Sequence, residues 1–195
     1  MAKLVYQTNL EELRFEVWNE RPEKSELFTV NQIHSNLVVN ADFNQIETDG
    51  DAIITASQNK VLAIKTADCV PIALRGTSGV VLVHAGWKGV RDKILINEAI
   101  SDLGITHALI GPHIRVENYE VGEEFKENFE QSTHFEEING KICFNLTTSV
   151  YEQLSSTYPG IIIKDCELDT FTEESLRSYR SGDKIERNWN ILKYN

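Results

Sequence analysis

Short apolar runs separated by polar, glycine-containing turns recur through the first half of the chain, the rhythm of strands rather than helices. Val61-Leu62-Ala63-Ile64, Val70-Pro71-Ile72-Ala73-Leu74 and Val80-Val81-Leu82-Val83 are unbroken apolar runs, which predicts strands covered on both faces. Leu27 to His34 reads as a further run, Ala52 to Thr55 follows the turn Thr48-Asp49-Gly50-Asp51, and Met1 to Tyr6 predicts an edge strand. Leu10 to Trp18 mixes apolar and charged positions without a clean period, and Arg21 to Ser25 predicts a turn. From Asp92 to Leu103 the period becomes helical: Ile96, Ala99, Ile100 and Leu103 share a face, and Gly104 stands at the C′ position. A strand over His107 to Ile110 follows, then a helix over Glu123 to Phe129 and another from the N-cap Asn145 through Leu154. Ile161 to Ile163, after Gly160, predicts one more buried strand. No linker, repeat or low-complexity segment divides residues 1–195, which read as a single mixed α/β domain.

Composition narrows the partners. A net charge of −11 and a pI near 4.9 repel phosphate backbones and anionic membranes, so neither nucleic acid nor a membrane is an expected partner. A small anion needs cations placed locally, and Lys88, Arg91, Arg180 and Arg187 are the candidates. Three cysteines at irregular spacings fit a reducing compartment rather than a disulfide framework. No signal peptide or membrane-length apolar run is read, so a soluble, cytoplasmic protein is expected.

Candidate chemistry gathers at the ends of predicted strands. His84 closes the Val80 run, Cys69 ends Val61 to Asp68, and His34 closes the Leu27 run. Two histidines and a cysteine are a known zinc set with a fourth position left open, but spacing this wide needs the fold to bring the groups together. Taken singly, each is also readable as a hydrogen-bonded residue closing a strand. Asp49 and Asp51 lack the further oxygen donors of a calcium loop and read as a turn with a functional aspartate. His113 in the Gly-Pro turn reads equally as a site or a surface residue, His134 as loop, and Cys143 and Cys166 as buried, inert thiols.

The blocks Asn31-Gln32-Ile33-His34-Ser35, Asp49-Gly50-Asp51-Ala52, Thr66-Ala67-Asp68-Cys69-Val70-Pro71 and Val83-His84-Ala85-Gly86-Trp87-Lys88-Gly89 resemble signatures of the laccase-domain, or multicopper polyphenol oxidoreductase, family. Members of that family were later reassigned as zinc-dependent purine nucleoside phosphorylases. Ile110-Gly111-Pro112-His113-Ile114, Tyr119-Glu120-Val121-Gly122 and Ser178-Tyr179-Arg180 follow in the family's order. The resemblance implies helices outside two facing sheets, in four layers, and metal ligands at His34, Cys69 and His84. The family's Arg- and Gly-rich N-terminal segment is not reproduced between Met1 and Glu26, which puts any substrate contact made by it in doubt. Ser181 stands where the family has a second basic residue, and Cys166-Glu167 replaces its Cys-Thr pair. Arg187 matches a later family arginine, with Glu186 in place of glycine.

The expected activity, implied by this resemblance, is cleavage of inosine or adenosine by phosphate at a zinc site, with adenosine deamination and methylthioadenosine phosphorolysis as further activities. Asp68, Glu120 and Arg180 are the catalytic candidates. Gln32, Trp87, Lys88 and Arg180 are those for substrate and phosphate. The alternatives are a copper-dependent polyphenol oxidase and a metal-free hydrolase with Cys69 as nucleophile and His84 as base. A full multicopper site needs about ten histidines and this chain has five.

Overall fold

A computed structural model describes residues 1–23, 26–130 and 132–195; Lys24 and Ser25 of the predicted turn lie outside the described residues. In chain order the strands are β1 (Leu4–Leu10), β2 (Leu13–Trp18), β3 (Val30–Asn31), β4 (Val38–Asn40), β5 (Thr48–Asp49), β6 (Ala52–Thr55) and β7 (Leu62–Thr66). They continue with β8 (Val70–Gly76), β9 (Val80–Ala85), β10 (Ile105–Ile110), β11 (Phe135–Ile138), β12 (Lys141–Phe144), β13 (Ile162–Asp165) and β14 (Asn188–Tyr194). The α-helices are α1 (Trp87–Arg91), α2 (Glu98–Ser101) and α3 (Leu146–Thr157).

The uninterrupted apolar runs become the middle of a six-stranded sheet, ordered β13-β10-β8-β9-β6-β4. Period-two alternation sends their residues to two different cores. Val81, Val83, Ile72 and Leu74 face Val90, Leu95, Ile100, Val150 and Leu154 of the helical layer. Val80, Leu82, Ala73 and Ile53 face Phe15, Val17, Leu62 and Leu192 of a four-stranded antiparallel sheet, ordered β1-β2-β14-β7. Burying each large apolar side chain contributes about 1.5–3 kcal/mol, so a strand clad on both faces is the costliest element to displace. Two facing sheets in one mixed α/β domain are therefore present, as expected, with the helical layer outside the six-stranded sheet. Among the described residues the three α-helices pack on the six-stranded sheet, and the outer face of the other carries a small cluster of Leu27, Ala63 and Ile191.

Several elements differ from expectation, among them the helix expected over Glu123 to Phe129, which forms as a 3-10 helix over Glu123–Asn128. β2 alternates cleanly at Leu13, Phe15 and Val17, but the turn at Glu11, with φ 53°, shifts its phase relative to Leu10 and hides the period. The helix expected over 92–103 forms in pieces, because Lys93 takes a left-handed φ of 63° and the Asn97 side chain recaps the chain by accepting from Ala99 N at 3.0 Å. Ile162 is 61% exposed because β13 is an edge strand, not a doubly covered one. The Asn145 cap is as predicted, accepting from Thr148 N at 2.9 Å, and Gly104 has the left-handed φ of 64° that its position requires.

Candidate metal centre

The open end between the two sheets holds the three predicted ligands. His84 shares the face of Val80 and Leu82, so its ring points toward the space between the sheets. Cys69 lies in the short β7–β8 connection. His34 is not at a strand end as expected: β3 stops at Asn31 and His34 sits in a loop with a left-handed φ of 60°. One potential ligand atom from each of His34, Cys69 and His84 lies within 4.8 Å of the others, the one such group found among the described residues. The two imidazoles meet edge to face at 4.8 Å between centroids.

The donor set fits a metal ion. An ion at the centre of such a triangle stands at most about 2.8 Å from each donor, so contraction by under about 1 Å reaches zinc–nitrogen and zinc–sulfur bond lengths. Burial pushes the Cys69 thiol up, but the charge on His84 and hydrogen bonds from both histidines bring it down from 9.0 to about 6. Burial likewise opposes charge on His84, and the Cys69 thiolate and Asp51 carboxylate outweigh it, raising the imidazole from 6.5 to about 9. At neutral pH a thiolate ligand is thus present before any metal arrives. Gly86 closes the group from behind: a Cβ there would stand 3.1 Å from Cys69 Sγ and 3.2 Å from His34 Cδ2.

These residues floor a cleft of about 710 Å³ whose walls include Gln32, Asp68, Trp87, Tyr119, Tyr179 and Arg180. Both ends of the Gln32 amide are bound to the Lys65 main chain at 2.7 Å, tying the His34 loop to β7. Asp68 accepts from Thr170 Oγ1 at 2.7 Å and from Arg180 N at 2.8 Å, so its carboxylate anchors the loop that carries Arg180. The Arg180 guanidinium lies 5.0 Å from the Tyr119 ring centre and donates to Glu120 O at 2.7 Å. The Glu120 carboxylate is turned outward to Lys141 Nζ at 2.6 Å and is not among the groups lining this cleft. Lys88 is also outside it, its ammonium 5.6 Å from the Trp87 ring centre. Arg187 reaches the rim, but its guanidinium caps the carbonyls of Asp183, Lys184 and Glu186.

The remaining histidines are engaged elsewhere. His113 is fully buried, bonded to Gly111 O and Thr147 Oγ1, and burial together with the Arg115 charge lowers it to about 4, so it is a neutral structural strut. His134 pairs with Glu152 at 2.7 Å, and His107 with Thr106 and Glu11. Cys143 is buried as expected, whereas Cys166 is only half-buried, its thiol raised to about 11 by the burial it has. The turn holding Asp49 and Asp51 reads as carrying a functional aspartate without a partner named for it, and Asp51 is bonded to His84 Nδ1 at 2.7 Å. A Gly-Asp pair immediately before a buried strand was the available signal.

A sequence model described as multi-copper polyphenol oxidoreductase laccase matches residues 7–193. The chain belongs to this laccase family. A protein of Aquifex aeolicus named purine nucleoside phosphorylase is 36% identical over 170 residues, covering 84% of this chain and 81% of that one. One from Rickettsia conorii, named purine nucleoside phosphorylase RC0672, is 38% identical over 111 residues, 53% of this chain but only 46% of its own length. The crystal structure of Neisseria meningitidis protein NMB0706 superimposes with a TM-score of 0.77 at 28% identity, covering 87% of this chain and 75% of that one. The laccase-family fold is therefore the one seen here, with His34, Cys69 and His84 at the mouth of its sheet pair.

Proposed function

We propose that the chain is a metal-dependent purine nucleoside phosphorylase, with zinc held by His34, Cys69 and His84. The observation that carries this is the convergence of two imidazoles and a thiolate, within 4.8 Å, on the floor of a cleft in a chain related to proteins named for that activity. Zinc in such a set supplies a Lewis acid with an open position for a substrate oxygen. Phosphate attacks C1′ of the ribose, the C1′–N bond breaks, and the base leaves with the bonding pair and takes up a proton. Arg180 supplies the local cation that a molecule of net charge −11 needs to hold phosphate. Asp68 serves by fixing the Arg180 main chain, both of its oxygens being engaged. Trp87, Tyr119 and Tyr179 are the aromatic side chains in the cleft wall against which a purine would pack. Deamination of adenosine, in which water adds at C6 of the base and ammonia leaves, and methylthioadenosine cleavage at C1′ belong to the same proposal.

A thiol hydrolase is the second reading, favoured by the Cys69–His84–Asp51 order of contacts. Copper oxidation by a multinuclear cluster has little support, since three of the five histidines are bonded outside the cleft. Elemental analysis separates these readings. About one zinc per chain in wild type, and loss of most of it in Cys69→Ala, is expected; equal metal content in both proteins would refute the ligand assignment.

A further inference from the structure

Asp51 is fully buried, and it is not one of the three donors. A carboxylate sealed from water persists where hydrogen bonds replace its hydration, and four do so here. Oδ1 faces His84 Nδ1 at 2.7 Å and accepts from His34 N at 3.1 Å. Oδ2 accepts from Ser35 N at 2.6 Å and from Ser35 Oγ at 2.7 Å. The Asp51 carbonyl also accepts from His84 N at 2.7 Å, so main chain and side chain grip the same histidine.

These contacts go to both imidazole donors at once. His34 has a φ of 60°, a conformation that non-glycine residues hold only with outside support, and the bonds from His34 N and Ser35 N supply it. With Nδ1 of His84 committed to the carboxylate, Nε2 is the nitrogen left to face a metal ion. Trp87, three positions after His84, packs edge to face on Phe125 at 5.0 Å.

We propose that Asp51 is a positioning residue for the metal, fixing the tautomer of His84 that offers Nε2 and setting the distance between the two imidazoles through the His34 main chain. This rests on the reading of His34, Cys69 and His84 as metal ligands. Substitution by asparagine keeps the shape of the side chain, but its amide either donates to Nδ1, which moves the His84 proton to Nε2, or turns toward the Ser35 donors and leaves them unpaired.

The test is competition for zinc against a chromophoric chelator, using the whole chain as wild type, Asp51→Asn and Ser35→Ala. Zinc affinity is expected to fall about 10- to 100-fold in Asp51→Asn. It should stay near wild type in Ser35→Ala, which leaves both Oδ1 contacts in place. A folded Asp51→Asn protein with wild-type affinity overturns the proposal. Wild type that binds no zinc overturns the ligand reading itself, and this proposal with it. Should Asp51→Asn not fold, nitrogen NMR of zinc-loaded wild type decides: a proton on His84 Nδ1 with the ion on Nε2 is expected, and the ion on Nδ1 refutes the assignment.

Discussion

Replacing Gly86 by alanine separates metal binding from folding. The Gly86 backbone has φ −76° and ψ 165°, an extended conformation open to any residue, so alanine brings no backbone strain. What it adds is a methyl 3.1 Å from Cys69 Sγ and 3.2 Å from His34 Cδ2, so both groups must yield by a few tenths of an ångström. In the metal-free protein they can, because His34 is on the surface and Cys69 only half-buried. With an ion bound they are fixed, and overpacking of this kind costs about 1–3 kcal/mol. A loss of roughly 1.4 kcal/mol is tenfold in affinity, so zinc should bind about 5- to 140-fold more weakly. Chelator competition measures the affinity, and thermal melts of the stripped protein measure the fold. A mutant whose stripped form melts far below wild type, yet which binds zinc with unchanged affinity, would refute the reasoning.

The Cys69–His84 pair sets a pH window. Cys69, depressed to about 6, stabilises the metal-free fold at high pH and loses that contribution as pH falls through about 6; His84, raised to about 9, stabilises it at low pH and loses that contribution as pH rises through about 9. Between about pH 6.5 and 9 the folded and unfolded chains each hold one proton on this pair, so the two contributions cancel and melts of stripped protein should be nearly flat there; a steep pH dependence across that range that disappears in Cys69→Ala would contradict the pairing. Near pH 7.5, zinc binding should release close to one proton, taken from His84, as read by calorimetry in buffers of different ionisation enthalpy; release of none would contradict it. Arg180→Ala should raise the KM for phosphate about tenfold or more while leaving zinc content unchanged, the loss expected for a charged hydrogen bond of 1.5–3 kcal/mol, roughly. Glu120→Gln should leave activity within about twofold, since the partner it loses is an exposed lysine and such pairs contribute under about 1 kcal/mol.

The buried strands and the candidate donors Cys69 and His84 were legible because each is signalled locally, by an apolar run and then a polar group where the run stops, whereas His34 was expected at a strand end and lies in a loop. β14 was not, because Asn188-Trp189-Asn190 opens it with buried amides, and Asn190 earns its place by a hydrogen bond to Thr66 Oγ1 across the sheet, which no local pattern reveals. The pairing of Asp51 with His84 spans 33 positions and depends on the β6–β9 register, so sequence could mark the aspartate but not its partner. Glu120 shows the converse: motif order nominated it, whereas the hairpin β11–β12 brings Lys141 to its carboxylate and turns it outward. Asp68, nominated as a catalytic candidate, lines the cleft and also accepts from Thr170 and from the Arg180 main chain, contacts made more than 100 residues away that no local pattern reveals.

The central claim is that a metal held by His34, Cys69 and His84 lets this cleft cleave purine nucleosides with phosphate. Chromatographic measurement of free base and ribose 1-phosphate from inosine and adenosine, with zinc-loaded and stripped protein, each with and without phosphate, addresses it directly. Equimolar base and ribose 1-phosphate, formed only when zinc and phosphate are both present, is the predicted result. Base release that persists in stripped protein or without phosphate, or no release by the zinc-loaded protein, would contradict it.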